Sequence, residues 1–181
     1  MRALTITAAA LLAAATPALA GPPWIGIETP ANPLEARSRG AFLLVHAYHH
    51  GTPMQFPVTG RAEGIVNGRR TTVELSFSET AWSGVYALSY EAAKEGVWIL
   101  VISVTQGPND AATAIVRVKD GEVVGVRVPM RGNGPAAVSA ADVDEALRTY
   151  AAELASTGGG PAPFGLAAVG LLVVGMLRRR S

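Results

Sequence analysis

The 181-residue sequence contains no cysteine. Disulfides, thiol catalysis, Cys-ligated zinc and lipidation at a lipobox cysteine are therefore excluded. Without cross-links the core must be large enough on its own, and roughly 110 residues between the two unusual ends suffice for one domain. Asn-x-Ser/Thr sequons are absent, and so is the Gly-x-Ser-x-Gly motif of a nucleophile elbow. No basic stretch alternates with aromatics. Setting aside Arg2, Arg178, Arg179 and Arg180 leaves 11 basic against 14 acidic residues, so nucleic acid is not an expected partner. Carboxylate pairs such as Glu63 with Glu74, or Asp110 with Asp120, read as solvated strand and turn residues. The expectation is a non-enzymatic chain.

Both ends depart from ordinary globular sequence. Arg2 precedes a small and apolar run at residues 3–15, broken by Thr16-Pro17. Ala18-Leu19-Ala20 then supplies small residues at the −3 and −1 positions. Residues 1–20 read as a secretory signal peptide with cleavage before Gly21. At the other end, 158–163 is a Gly/Pro spacer, 164–177 is uncharged and apolar, and Arg178-Arg179-Arg180 follows. Fourteen residues as helix span about 21 Å against a hydrocarbon layer of about 30 Å, and the preceding Pro161–Pro163 segment nearly closes the gap. Residues 164–181 are expected to be a short single-pass transmembrane helix with its arginines in the cytoplasm, or a processed sorting tail. Residues 158–180 resemble the GlyGly-type bacterial C-terminal sorting signals. The expected location is the periplasmic or extracellular face of a bacterial membrane, or the cell surface.

Between the ends the periodicity is that of strands. Residues 97–105 form the longest β-branched run, apolar at successive positions, which predicts a strand buried on both faces. Trp98, Leu100 and Ile102 are expected to face the interior together with Leu44. Further strands are expected at 24–28, 41–48, 58–66, 71–77, 84–90, 113–119 and 122–128. Asn67-Gly68 and Asp120-Gly121 mark type I′ hairpins. Strands at short spacing without intervening helices predict an antiparallel sandwich over residues 21–131, of immunoglobulin-like type. Residues 132–157 hold a linker and a helix capped at Ser139, with Val143, Ala146, Leu147, Tyr150 and Leu154 on one stripe. The stripe is expected to pack on the sandwich or to serve as a stalk; binding a partner is the alternative.

One cluster could carry chemistry. His46, His49 and His50 are the only histidines, and Met54 follows closely. Imidazoles and a thioether suit copper or nickel. On a regular strand, however, His46 and His50 sit about 13 Å apart while His49 points the other way. A shared site requires the strand to end or bulge near His49, which Gly51-Thr52-Pro53 permits. Structural use at the strand end is the alternative. Trp24 and Trp82 read as core or strand-edge residues, with a surface patch as the other option.

The pattern Gly84-Val85-Tyr86-Ala87-Leu88, then Gly96-Val97-Trp98-Ile99-Leu100-Val101-Ile102, resembles that of exported bacterial immunoglobulin-like modules of the YtkA-like, FixH-like and nickel-uptake-associated kinds. The Asn67-Gly68-Arg69 hairpin is similar as well. The resemblance spans 61–105, and its residues are structural ones, so it implies a fold; some relatives are linked to metal transport or respiratory-complex assembly. The expected function is an exported binding or accessory module. It would be tethered through the C-terminal helix and present a protein-binding surface on the sandwich. The alternative is periplasmic copper or nickel handling through residues 46–54.

Overall fold

The computed structural model describes residues 21–31, 39–91 and 95–157. The expected signal peptide, Gly/Pro spacer and transmembrane or sorting tail lie outside the described residues. The strands are β1 (Trp24–Glu28), β2 (Leu43–His49), β3 (Thr52–Pro53), β4 (Val58–Val66), β5 (Arg69–Glu74), β6 (Ser76–Glu79), β7 (Val85–Ser89), β8 (Val97–Gly107), β9 (Asp110–Lys119), β10 (Glu122–Arg127), β11 (Met130–Arg131) and β12 (Gly134–Pro135). One helix, α1 (Ala140–Thr157), closes the described part. The protein is mainly β, and every strand pairing is antiparallel. Among the described residues no helix is long and apolar enough to cross a membrane.

Two sheets make up the body. The first runs β1-β2-β7-β6 with β3 attached to β2, and the second runs β10-β9-β8-β4-β5. Leu43, Val45, Ala47, Tyr86 and Leu88 of the first sheet share one apolar cluster with Trp98, Leu100, Ile102, Val104 and Val116 of the second. This two-sheet core is consistent with a β-sandwich. β8 explains its own uninterrupted apolar sequence. Its even-numbered residues enter the shared core, while Ile99 and Val101 enter a separate cluster under α1. Trp98 lies flat against Gly64, where a β-carbon would come 2.5 Å from the ring, and its Nε1 donates to the Glu95 carbonyl at 2.7 Å.

Leu44 corrects the expectation made for it. It is fully buried, but on the opposite side of β2, with Val85 and Ala87 and with the half-buried Ala31 and Ala41 packed against them. Strand alternation allows only one parity of β2 to face the shared core, and that parity is Leu43, Val45 and Ala47. The expected strand 71–77 is also divided. It breaks at Leu75, whose amide donates to the Gly60 carbonyl. β5 therefore stays with the second sheet and β6 joins the first. All of β5, an edge strand of the second sheet, is exposed, Val73 included.

The helix packs on the body, as its stripe predicted. Val143, Leu147 and Tyr150 are buried against Ile99, Val101 and Ile115. Ser139 starts it with a reciprocal cap: the Asp142 amide donates to Ser139 Oγ at 3.2 Å, and Asp142 Oδ2 accepts from the Ser139 amide at 2.8 Å. Bonds donated by the Ser139 amide and hydroxyl hold the Asp142 carboxyl below its usual range. Tyr150 Oη donates to the Val118 carbonyl at 3.1 Å, which pins the helix to β9.

Candidate functional site

The histidine segment does end its strand, by a device more compact than a bulge. His50 and Gly51 have φ of 49° and 79°, the two positive values of a type I′ turn, and His49 pairs with Thr52 across it. Along an ordinary strand adjacent side chains point to opposite faces. The left-handed backbone at His50 breaks that alternation and brings the His49 and His50 rings to a centroid distance of 4.3 Å. The His49 ring also meets Phe56 edge-on at 6.3 Å. Its Nε2 is shut away from solvent without a hydrogen-bond partner, an expensive state for a ring nitrogen.

The other two expected ligands sit elsewhere. His46 lies on the outer face of β2, across from Gly26. Its Nε2 is 2.9 Å from Glu28 Oε2, and its ring is parallel to that of Tyr48 at 6.0 Å. Met54 follows β3, with its amide bonded to the Ala47 carbonyl and its side chain 38% exposed. The fold thus brings His49 and His50 together and leaves His46 on the other side of the strand. Among the described residues no three His, Asp or Glu side chains form a group able to hold a metal ion.

The same end of the first sheet carries an apolar rim. Trp24, 43% exposed, is paired with Tyr48, and Tyr48 with Pro53. Gly84 abuts the backbone of Ala47 and Met54, where a β-carbon would stand 2.8 Å away. Trp82, 50% exposed, lies in the turn leading into that contact, held by its carbonyl accepting from the Val85 amide. Trp24 does sit on an edge strand, β1, and both tryptophans are exposed at this rim rather than packed in the core.

The second sheet holds a polar cluster that corrects the reading of Glu63 as solvated. Glu63 is only 4% exposed. Burial pushes its carboxyl up, but hydrogen bonds from Arg61 Nε at 2.6 Å, Arg70 Nε at 3.0 Å and Thr72 Oγ1 at 2.9 Å outweigh it and hold the group below its usual range. Arg70 also bonds Asp144 on α1, and Arg117 bonds Glu153 at 2.6 Å while lying over the Tyr150 ring. These pairs tie the helix to the sheet. A groove between α1 and β9–β10 is lined by Ile115, Arg117, Val126, Asp142, Tyr150 and Glu153, and Arg117, Asp142 and Glu153 are already engaged in bonds of their own. The pairing was legible, since the Asn67-Gly68 turn fixes Thr72 opposite Glu63.

No family model, curated protein or solved structure matches this chain. What the site does must follow from its own residues.

Proposed function

We propose that the chain is an exported, non-enzymatic binding module of immunoglobulin-like build, held at the membrane or cell surface by its C-terminal tail, and that the rim of the first sheet is its binding surface. The observation that carries this reading is the gathering of Trp24, Tyr48, Pro53, Met54 and Trp82 at one end of the sheet. Exposed aromatics and methionine are the residues enriched at protein interfaces. The face of the second sheet that bears Ile99 and Val101 is, by contrast, occupied by α1. The two-sheet core and the resemblance over residues 61–105 support the immunoglobulin-like build. The Ala18-Leu19-Ala20 ending and the apolar tail support export and tethering.

Photo-crosslinking in the native host tests it. A photoreactive residue at position 24 or 82 should trap one discrete partner, and the same residue at exposed Val126 should trap none. Equal trapping from all three positions would remove the rim as the binding surface.

A second reading, copper or nickel handling, is favoured by one specific observation: the 4.3 Å approach of His49 and His50 beside an unpartnered His49 Nε2. His46 and Met54 are not needed in its simplest form. Titration with Cu(II) and Ni(II) tests it directly.

A further inference from the structure

Two imidazoles alone hold a divalent ion weakly, and the described carboxylates and third histidine do not join them. A third donor has to come from somewhere else. Residue 21 lies beside His50: a β-carbon built on Gly21 would stand 3.9 Å from His50 Cε1, the carbon between the two ring nitrogens. In the precursor the Gly21 nitrogen is an amide, a poor ligand. Cleavage after Ala20 converts it into a primary amine on the residue whose β position borders the His50 ring.

We propose that processing before Gly21 completes a three-nitrogen Cu(II) site made of the Gly21 α-amine, His50 and His49. The proposal rests on the metal reading above and on the predicted cleavage position. Metal–imidazole bonds of about 2.0–2.1 Å, with the two bonds near a right angle about one ion, would place the ring centroids roughly 4.5 Å apart; the observed rings are 4.3 Å apart with their planes tilted by 58°. Nitrogen donors in such an arrangement suit the tetragonal preference of Cu(II) better than the tetrahedral preference of zinc. The ion would also supply the partner that His49 Nε2 lacks. Binding would be coupled to export, because the unprocessed chain has no free amine at this position. His46, paired with Glu28, is outside the site.

The test compares four purified chains, each continuing to Ser181 in mild detergent: one beginning at Gly21, one with a single alanine added before Gly21, and the Gly21 chain carrying His49→Ala or His46→Ala. Cu(II) is titrated calorimetrically at about pH 7.5, where imidazole is largely deprotonated. Loss of even an outer partner of a metal ligand costs about 10–100-fold in affinity, so moving the amine by one residue should weaken binding by at least that much. His49→Ala should do the same, and His46→Ala should change nothing. The added alanine leaves the fold untouched, so it remains decisive if His49→Ala unfolds. If the extended chain binds as tightly as the Gly21 chain, the amine is not a ligand and the proposal is overturned, while the histidine reading survives on its own. If no chain binds tighter than about 10 μM, both fall.

Discussion

The two sheets share one core yet are finished differently on their outer sides. The second sheet is covered. Ile99, Val101 and Ile115 lie under α1, Glu63 is triply bonded, and charged pairs fasten the helix along its length. The first sheet is buried on its outer side at Leu44, Val85 and Ala87, but its far end exposes Trp24, Met54 and Trp82 beside a histidine pair with an unpartnered nitrogen. Apolar area removed from water stabilises at roughly 25 cal/mol per Å², and in the second sheet it is collected on both faces, under the helix and over the shared core. The difference teaches where the packing lies: deepest in β8, β9 and the helix, and thinnest at the open end of β1–β3, the proposed binding surface.

That contrast can be broken most forcefully at Trp98. Trp98→Ala should cost about 3–5 kcal/mol, read as a shift in the denaturant unfolding midpoint. An unchanged midpoint would detach the second sheet from the core. Leu147→Ala should cost about 2–5 kcal/mol, because its side chain is 2% exposed between helix and sheet; a cost near zero would make α1 an ornament on the sheet.

Glu63 sharpens the comparison through pH. Its folded pKa is depressed, so its contribution is fully present above the unfolded value of about 4.3 and is lost as pH falls through the lower folded value. Glu63→Gln should remove that acid-side loss and cost about 1–2 kcal/mol near neutral pH. That is less than for a fully buried pair, since Arg61 and Arg70 are partly exposed. Parallel acid-unfolding curves for the variant and the parent would contradict the assigned role. The smallest effect belongs to the open end. Trp24→Ser and Trp82→Ser should each stay within about 0.5 kcal/mol of the parent while abolishing the crosslinked partner.

Much of this division was legible in the sequence. The apolar run of β8 announced a strand buried on both faces, and Ser139 with the Val143–Leu154 stripe announced the helix that covers it. Asn67-Gly68 and Asp120-Gly121 announced two hairpins, both present with positive φ. The third, His50-Gly51, was harder to read because histidine is a less usual residue for that turn, although it adopts positive φ more readily than most. Leu44 was misplaced because both parities of β2 are apolar, and only tertiary cover distinguishes them. Glu63 was misread because a carboxylate on a strand looks solvated until the hairpin register sets Arg70 and Thr72 around it. The approach of Gly21 to His50 joins residues far apart in sequence, and no local pattern encodes it.

Hydrogen–deuterium exchange of the Gly21–Ser181 chain, with and without Cu(II), tests the division between the two sheets most directly. The amides of β8 and β9 should be the slowest without metal, and copper should slow exchange only around residues 21–25 and 47–56. Slowing spread across the second sheet and α1, or none anywhere, would contradict a stable second sheet carrying an open functional end on the first.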